Sequence, residues 1–125
     1  MNNLKFRAYF EQYERMIDNI GIINQNMILV DFTNSEELEP IFITDKIHVM
    51  QSTGFKDKNG KEIFDGDIVS KENEYVVIKS FTGLWKAVSQ KDDEKDRELY
   101  FLTLADVCED IEVIGNIYEN RELLG

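Results

Sequence analysis

The chain has 125 residues, of which 42% are hydrophobic and 31% charged, a composition that predicts a globular protein and excludes intrinsic disorder. Its 14 basic and 25 acidic side chains leave a formal net charge of −11, which argues against direct binding to DNA or RNA. One cysteine excludes an internal disulfide, and we find no signal peptide and no apolar run of the ~20 residues that span a bilayer. We therefore predict a single domain over residues 1–125 of a cytoplasmic protein without membrane contact.

Short apolar runs between turn residues predict a mainly β fold with minor α content. Residues 4–10 show the apolar alternation that is typical of a strand with one buried face. The segment over residues 36–39, which ends at Pro40, the only proline, is interpreted as a loop. A helical turn or two is predicted over residues 104–108, and Asn120 is placed to cap a final turn. Further strands are predicted over residues 20–23, 27–32, 46–51, 75–81, 84–88, 99–104 and 111–118.

Two glycine-containing turns are predicted in the middle of the chain. Asn59 and Gly60 supply the positive-φ residues of a tight hairpin. Gly66 precedes the strand-forming pair Ile68 and Val69, where it reverses the chain and starts a strand. A Gly-Asp-x-Val step of this kind also opens strands in small SH3-like barrels, so an SH3-like element is an alternative within the β class.

Two segments carry a resemblance to a known family. Residues 50–69 read MQSTGFKDKNGKEIFDGDIV, and residues 112–120 read EVIGNIYEN. Together they resemble the YopX family of small phage and prophage proteins. The resemblance implies a barrel-like or strongly coiled antiparallel sheet and a bacterial host cell. It implies no particular biochemical activity.

Histidine and cysteine, which form nucleophile and base pairs, each occur once in this sequence. His48 is the only histidine and lies between Ile47 and Val49, which favours a structural role on a strand. The apolar neighbours of Cys108 favour an inert thiol, and a nucleophile pair of Cys108 with His48 is the less favoured alternative. We therefore predict that the protein is not an enzyme and has no cofactor.

Ligand-binding motifs fail on their spacing. Gly54 and Gly60 enclose five residues, whereas a phosphate-binding Walker loop encloses four and continues with Ser or Thr after its lysine. A calcium loop aligned on Gly60 would have phenylalanine at its first ligand position. Asp65 and Asp67 could hold a cation only with distant carboxylates, and an enzyme would need a pocket formed by such residues with Glu112. Turn formation explains the two aspartates, so we predict no metal site.

Basic and aromatic side chains form the candidate interaction surface. Lys56, Lys58 and Lys61 are the densest basic group, interpreted as a polar hairpin tip rather than a phosphate-binding patch. Trp85 and Tyr100 are candidates for an exposed aromatic contact, although most aromatic residues are expected in the core.

The predicted function is that of a non-enzymatic protein-binding or assembly module whose partner is a host or phage protein. A homo-oligomer is predicted as well, because symmetric pairing protects sheet edges. The alternative is a nucleic-acid-related role, as an acidic mimic or as an accessory factor that acts on a host DNA-binding protein.

Overall fold

A computed structural model describes residues 5–71, 74–81, 84–89 and 101–124. These residues are mainly β and form two antiparallel sheets without closing a barrel, so the predicted mainly β class is confirmed. The chain divides into two compact units, residues 1–52 and 53–125, and the prediction of a single domain stays a prediction. The strands are β1 (Phe6–Phe10), β2 (Arg15–Asn24), β3 (Met27–Val30), β4 (Glu39–Phe42), β5 (Ile47–Lys56), β6 (Glu62–Phe64), β7 (Asp67–Lys71), β8 (Glu74–Phe81), β9 (Leu84–Ser89), β10 (Phe101–Thr103) and β11 (Glu112–Asn116).

The first unit is an antiparallel sheet in the order β4-β3-β2-β1-β5. Ala8 and Phe10 of β1 belong to its core, as the alternation predicted. Arg7 and Tyr9 on the opposite face of β1 are also buried, at 8% and 9% exposure. The prediction of a single buried face for this strand is therefore wrong, because side chains on both faces of β1 are buried.

Strand β2 begins at Arg15, earlier than the strand predicted over residues 20–23, because a β-bulge interrupts its apolar alternation. Ile17 and Ile20 are both buried although they lie three residues apart, which strict alternation in a strand does not allow. Asn19, with a φ of 57°, is the extra residue at the register shift of the β1–β2 pair. The bulge returns Ile20 to the core face.

Pro40 lies within β4, which begins at Glu39, so the loop predicted over residues 36–39 is wrong for residue 39. The β3–β4 register places Leu29 opposite Pro40, and the N–H of Ile43 donates to the carbonyl of Asn26 at 2.8 Å. Because hydrogen-bonded positions alternate along an antiparallel pair, the nitrogen of Pro40 faces away from β3. β4 is the outer strand of this sheet, so the proline removes no ladder hydrogen bond.

The second unit contains an antiparallel sheet in the order β10-β9-β8-β7-β11, and the end of β5 pairs with β6. Its core includes fully buried side chains from β6, β8 and the segment after β10, namely Ile63, Ile78, Leu104 and Ile111. The SH3-like element stays a prediction.

The helical segments are short, as predicted. Helix α1 spans Leu104–Val107, and 3₁₀ turns follow at Cys108–Asp110 and Arg121–Leu124. Leu104 begins α1 and does not continue the preceding strand, which corrects the predicted end of that strand. In the last turn the N–H of Leu123 donates to the backbone carbonyl of Asn120, whose side-chain oxygen accepts from the N–H of Asn116 at 3.1 Å.

Candidate protein-interaction surfaces

The two segments that carry the family resemblance, residues 50–69 and 112–120, are called the signature, and the signature hairpin joins β5 to β6 through residues 57–61. Three residues, 58–60, lie between the hydrogen-bonded Asp57 and Lys61. The N–H of Gly60 donates to the carbonyl of Asp57 at 3.0 Å, and the N–H of Asp57 donates to the carbonyl of Lys61 at 2.8 Å. Gly60 has a φ of 81°, which confirms its predicted role. Asn59 has no positive φ, so the predicted two-residue turn is wrong: the loop is a turn followed by one left-handed residue.

Asp57 holds this hairpin to the edge of β11. Its Oδ1 accepts the backbone N–H groups of Asn59 at 2.9 Å and Lys61 at 2.8 Å, and its Oδ2 accepts that of Val113 at 2.9 Å. Beside it, the N–H of Lys58 donates to the carbonyl of Ile111 at 3.0 Å. The hairpin tip therefore satisfies polar backbone groups on the outer side of β11, which pairs with β7 on its other side.

Burial and hydrogen bonding act in opposite directions on the ionisation of Asp57. The side chain is 5% exposed, and burial alone would raise its pKa. The hydrogen bonds from the backbone of Val113, Lys61 and Asn59, helped by the ammonium group of Lys61, outweigh burial and lower the pKa of Asp57 below its ordinary value of 3.8. This role of Asp57 was not predicted, although an aspartate two positions before an Asn-Gly pair is typical of an Asx turn.

Gly66 and Asp67 form a second junction within the signature. Gly66 has a φ of 84°, as predicted; its N–H donates to the carbonyl of Ile78 at 2.9 Å and its carbonyl accepts from Ile117 at 3.0 Å. Asp67 is 1% exposed and accepts the N–H of Phe64 at 2.7 Å. The hydrogen bond between Gly66 and Ile117 thus joins the two segments of the signature. Within the described ranges, no group of three or more His, Cys, Asp or Glu side chains is arranged to hold a metal ion.

The five residues predicted as an interaction surface lie in different environments. Lys56, Lys58 and Lys61 are exposed on the hairpin. Trp85 is half-buried and packs against the core of the second unit. Tyr100 lies outside the described residues. The structure thus places the three lysines together on one hairpin and Trp85 against a core. A binding role for these residues stays a prediction.

The two candidate nucleophile and base residues have structural partners. Nε2 of His48 lies 2.6 Å from Oε2 of Glu11, and both side chains are partly exposed. Sγ of Cys108 lies 4.0 Å from the carbonyl oxygen of Ala105, and the residue packs against the core of the second unit. These contacts agree with the structural roles that the sequence favoured.

An exposed apolar face on the outer strand of the first unit was missed by the sequence analysis. We call it the β4 face; it consists of the paired residues Met27, Leu29, Pro40 and Phe42, together with the exposed Leu38, which immediately precedes β4. Phe42 is 68% exposed and Leu38 is 55% exposed, while Met27 and Leu29 are half-buried. The apolar residues at positions 38, 40 and 42 were a visible signal, but the proline concealed the strand.

The strand register shows that the β4 face lies opposite the core. Met27 is paired with Phe42 and Leu29 with Pro40, so these four residues share one side of the β3–β4 pair. Ile28, paired with Ile41, lies on the other side and is fully buried in the core of the first unit. The outer strand therefore has apolar side chains on both faces, one of them in the core and one in solvent.

The chain is thus a small, mainly β protein whose signature residues form turns and close a sheet edge. It belongs to the YopX family: the family described as YopX protein matches residues 5–125. Two solved structures are similar over 100% of this chain and 100% of their own. They are protein EF1440 from Enterococcus faecalis, with 28% identity and a TM-score of 0.64, and protein yopX from Bacillus subtilis, with 25% identity and a TM-score of 0.65. The resemblance found in the sequence is confirmed.

Two further comparisons give negative results. No curated protein matches the chain. In the described part of the chain, no helix is long and apolar enough to cross a membrane.

Proposed function

We propose that this YopX-family protein is a non-enzymatic protein-binding module of a phage or prophage that acts in the bacterial cytoplasm. The observation that carries the proposal is the exposure of Leu38 and Phe42 on the β4 face. Phe42 shares its side of the β3–β4 pair with Met27, Leu29 and Pro40, and exposed apolar side chains grouped on a folded surface mark sites of association. Burying both side chains against a partner would contribute roughly 1.5–3 kcal/mol each.

The contacts of the signature support a binding module over an enzyme. An enzyme was expected to need a pocket formed by Asp65, Asp67 and Glu112. Asp67 accepts a hydrogen bond from the backbone of Phe64, and Glu112 accepts one from the side chain of Asn59 at 3.2 Å. These carboxylates therefore act in the architecture of the hairpin and its junctions. Because these carboxylates already bind groups of the chain itself, the β4 face is the better candidate for contact with another molecule.

Affinity capture tests the proposal. The full chain, immobilised through one terminus, is incubated with lysate of the bacterial host, and bound proteins are quantified by mass spectrometry. We expect a protein that the wild type retains and that the double variant Leu38→Ser/Phe42→Ser loses. The matched control is Tyr75→Ser/Leu84→Ser, which removes two side chains of 45% and 53% exposure from the second unit. If no protein is specifically retained, or if all three chains retain the same proteins equally, the proposed function is wrong.

Self-association and nucleic-acid binding stay predictions. A homo-oligomer would appear in light scattering as a particle heavier than the 14.6 kDa chain, and a constant mass of one chain at all concentrations would exclude it. The net charge of −11 predicts no retention on duplex DNA at physiological salt, and salt-sensitive micromolar binding would contradict this.

A further inference from the structure

We propose that the β4 face binds an extended segment of a partner protein in which apolar and basic side chains alternate. This inference rests on the proposed function and specifies the chemistry of the partner. Two observations carry it: the charge of the chain around the β4 face, and the backbone groups that β4 presents at its outer edge.

The charge distribution selects a basic partner. Residues 16–45, which include β3 and β4, contain six Asp or Glu residues and no Lys or Arg; Arg15, immediately before them, donates from its guanidinium group to the carbonyl of Phe32 at 2.8 Å. Glu37 and Leu38 immediately precede β4, Glu39 and Pro40 begin it, and all four are exposed. Glu39 is paired with Val30 and lies on the opposite side of the strand from Pro40 and Phe42. A segment lying on this edge would therefore contact apolar side chains and carboxylates in alternation. Lys or Arg side chains alternating with apolar ones are complementary to that pattern.

The backbone of β4 favours an extended segment but limits how it pairs. The register that turns the nitrogen of Pro40 away from β3 also turns the N–H and C=O groups of Phe42 away. An extended segment can thus form hydrogen bonds beside Phe42. It can form none to the nitrogen of Pro40, which has no hydrogen. Side-chain contacts with the β4 face must therefore supply most of the affinity.

A second copy of this chain fits the edge less well than a basic segment. Pairing two copies of β4 would bring together two chains that each carry a net charge of −11. Like charges placed together at an interface disfavour it. The proline in each strand would also interrupt the shared ladder.

A defined peptide tests the partner chemistry. The probe is a fluorescent peptide of alternating Lys and Leu, and its control has Glu in place of every Lys. Binding to the full chain is followed by fluorescence anisotropy at low and physiological salt. We expect the Lys peptide to bind the wild type with an affinity that falls as the salt concentration rises. The double variant Leu38→Ser/Phe42→Ser should lower this affinity about tenfold or more. We expect a smaller loss with Glu37→Gln/Glu39→Gln.

Two control variants separate the β4 face from general acidity and from loss of fold. Tyr75→Ser/Leu84→Ser and Glu109→Gln/Asp110→Asn change exposed residues of the second unit and should leave Lys-peptide binding unchanged. Circular dichroism confirms that each variant is folded. Equal losses in all variants, equal binding of the Glu peptide, or no binding of the Lys peptide would overturn the inference. Light scattering that shows the β4 variants abolishing a dimer would assign the face to a second copy and overturn it as well.

The peptide and the lysate experiments can fail separately. If the captured cellular protein requires Leu38 and Phe42 but the Lys peptide ignores them, the partner chemistry is wrong and the proposed function stands. If neither the lysate nor the peptide provides a ligand that depends on the β4 face, both are wrong.

Discussion

The carboxylate of Asp57 accepts a hydrogen bond at 2.9 Å from the backbone N–H of Val113, which lies 56 residues later in the chain. The contact joins the two parts of the family signature, because Asp57 is in the hairpin segment and Val113 in the second segment. It also places a nearly buried charge at the edge of the second unit's sheet.

Replacing Asp57 by Ala should destabilise the protein by about 1–3 kcal/mol. The variant leaves the buried N–H of Val113 without its acceptor, whereas Asn59 and Lys61 are exposed enough to hydrogen-bond with water. Urea unfolding followed through the single tryptophan measures the change. The control Asp110→Asn, at an exposed position in the same unit, should change the free energy of unfolding by less than about 0.5 kcal/mol. Equal effects of the two substitutions would show that the contact with Val113 contributes no stability.

The stabilisation from Asp57 should depend on pH in one direction. Its pKa in the folded protein lies below the ordinary value of 3.8 because backbone hydrogen bonds outweigh burial. The ionised group therefore stabilises the fold above the unfolded-state pKa, and this contribution is lost as the pH falls through the folded-state pKa. We expect the difference in unfolding free energy between wild type and Asp57→Ala to be constant near neutral pH and to shrink below about pH 4. A difference that grows on acidification would contradict the assignment.

How much the sequence could predict depended on whether the interaction was local. Alternating apolar residues identified most strands, and Gly60 and Gly66 were assigned positive φ because turns of this kind require it. The strand at Pro40 was missed because a proline is tolerated in a strand only at an outer edge, and sheet order is not a local property. The contact of Asp57 with Val113 was missed for the same reason: it depends on which strand the hairpin meets.

The exposure of the apolar residues in and beside β4 could not be predicted from the sequence either. Phe42 would be a core residue in many β proteins, and only its pairing with Met27 shows that it lies on the side of the sheet opposite Ile28 and its core. Sequence patterns distinguish the two faces of a strand, but they do not say which face is covered.

Replacing the glycines at positions 60 and 66 should lower the stability of the fold. Gly60→Val and Gly66→Val place a β-branched residue at φ values of 81° and 84°, and each should cost about 1–3 kcal/mol in urea unfolding. Gly60→Asn should cost less, because asparagine tolerates the left-handed region.

Replacing Lys56, Lys58 and Lys61 together by Ser is the matched test of the hairpin surface. All three are exposed, so the melting temperature should stay nearly unchanged. The folded lysine variant should still retain the partner captured by the wild type. Loss of that partner with the melting temperature preserved would make the hairpin the binding site and would remove the role proposed for the β4 face.

Gly115→Ala should destabilise the C-terminal turn through a steric conflict with Asn120. A Cβ at position 115 would lie 2.5 Å from Oδ1 and 2.6 Å from Cγ of Asn120. That Oδ1 accepts the N–H of Asn116, so displacing it breaks the hydrogen bond as well. We expect a cost of about 1–3 kcal/mol in the wild-type background. In an Asn120→Gly background most of this cost should disappear, and a double-mutant cycle with no coupling would contradict the steric explanation.

The contact of Asp57 with Val113 also orders events during synthesis. The hairpin leaves the ribosome first and can form at once, because its turn closes over three residues. Its carboxylate then has only the local N–H groups of Asn59 and Lys61 as partners until β11 has been made. Arrival of Val113 supplies the third donor and closes a loop of 56 residues, which is entropically more costly than the hairpin turn. We therefore expect β11 to be the last strand to join the second unit.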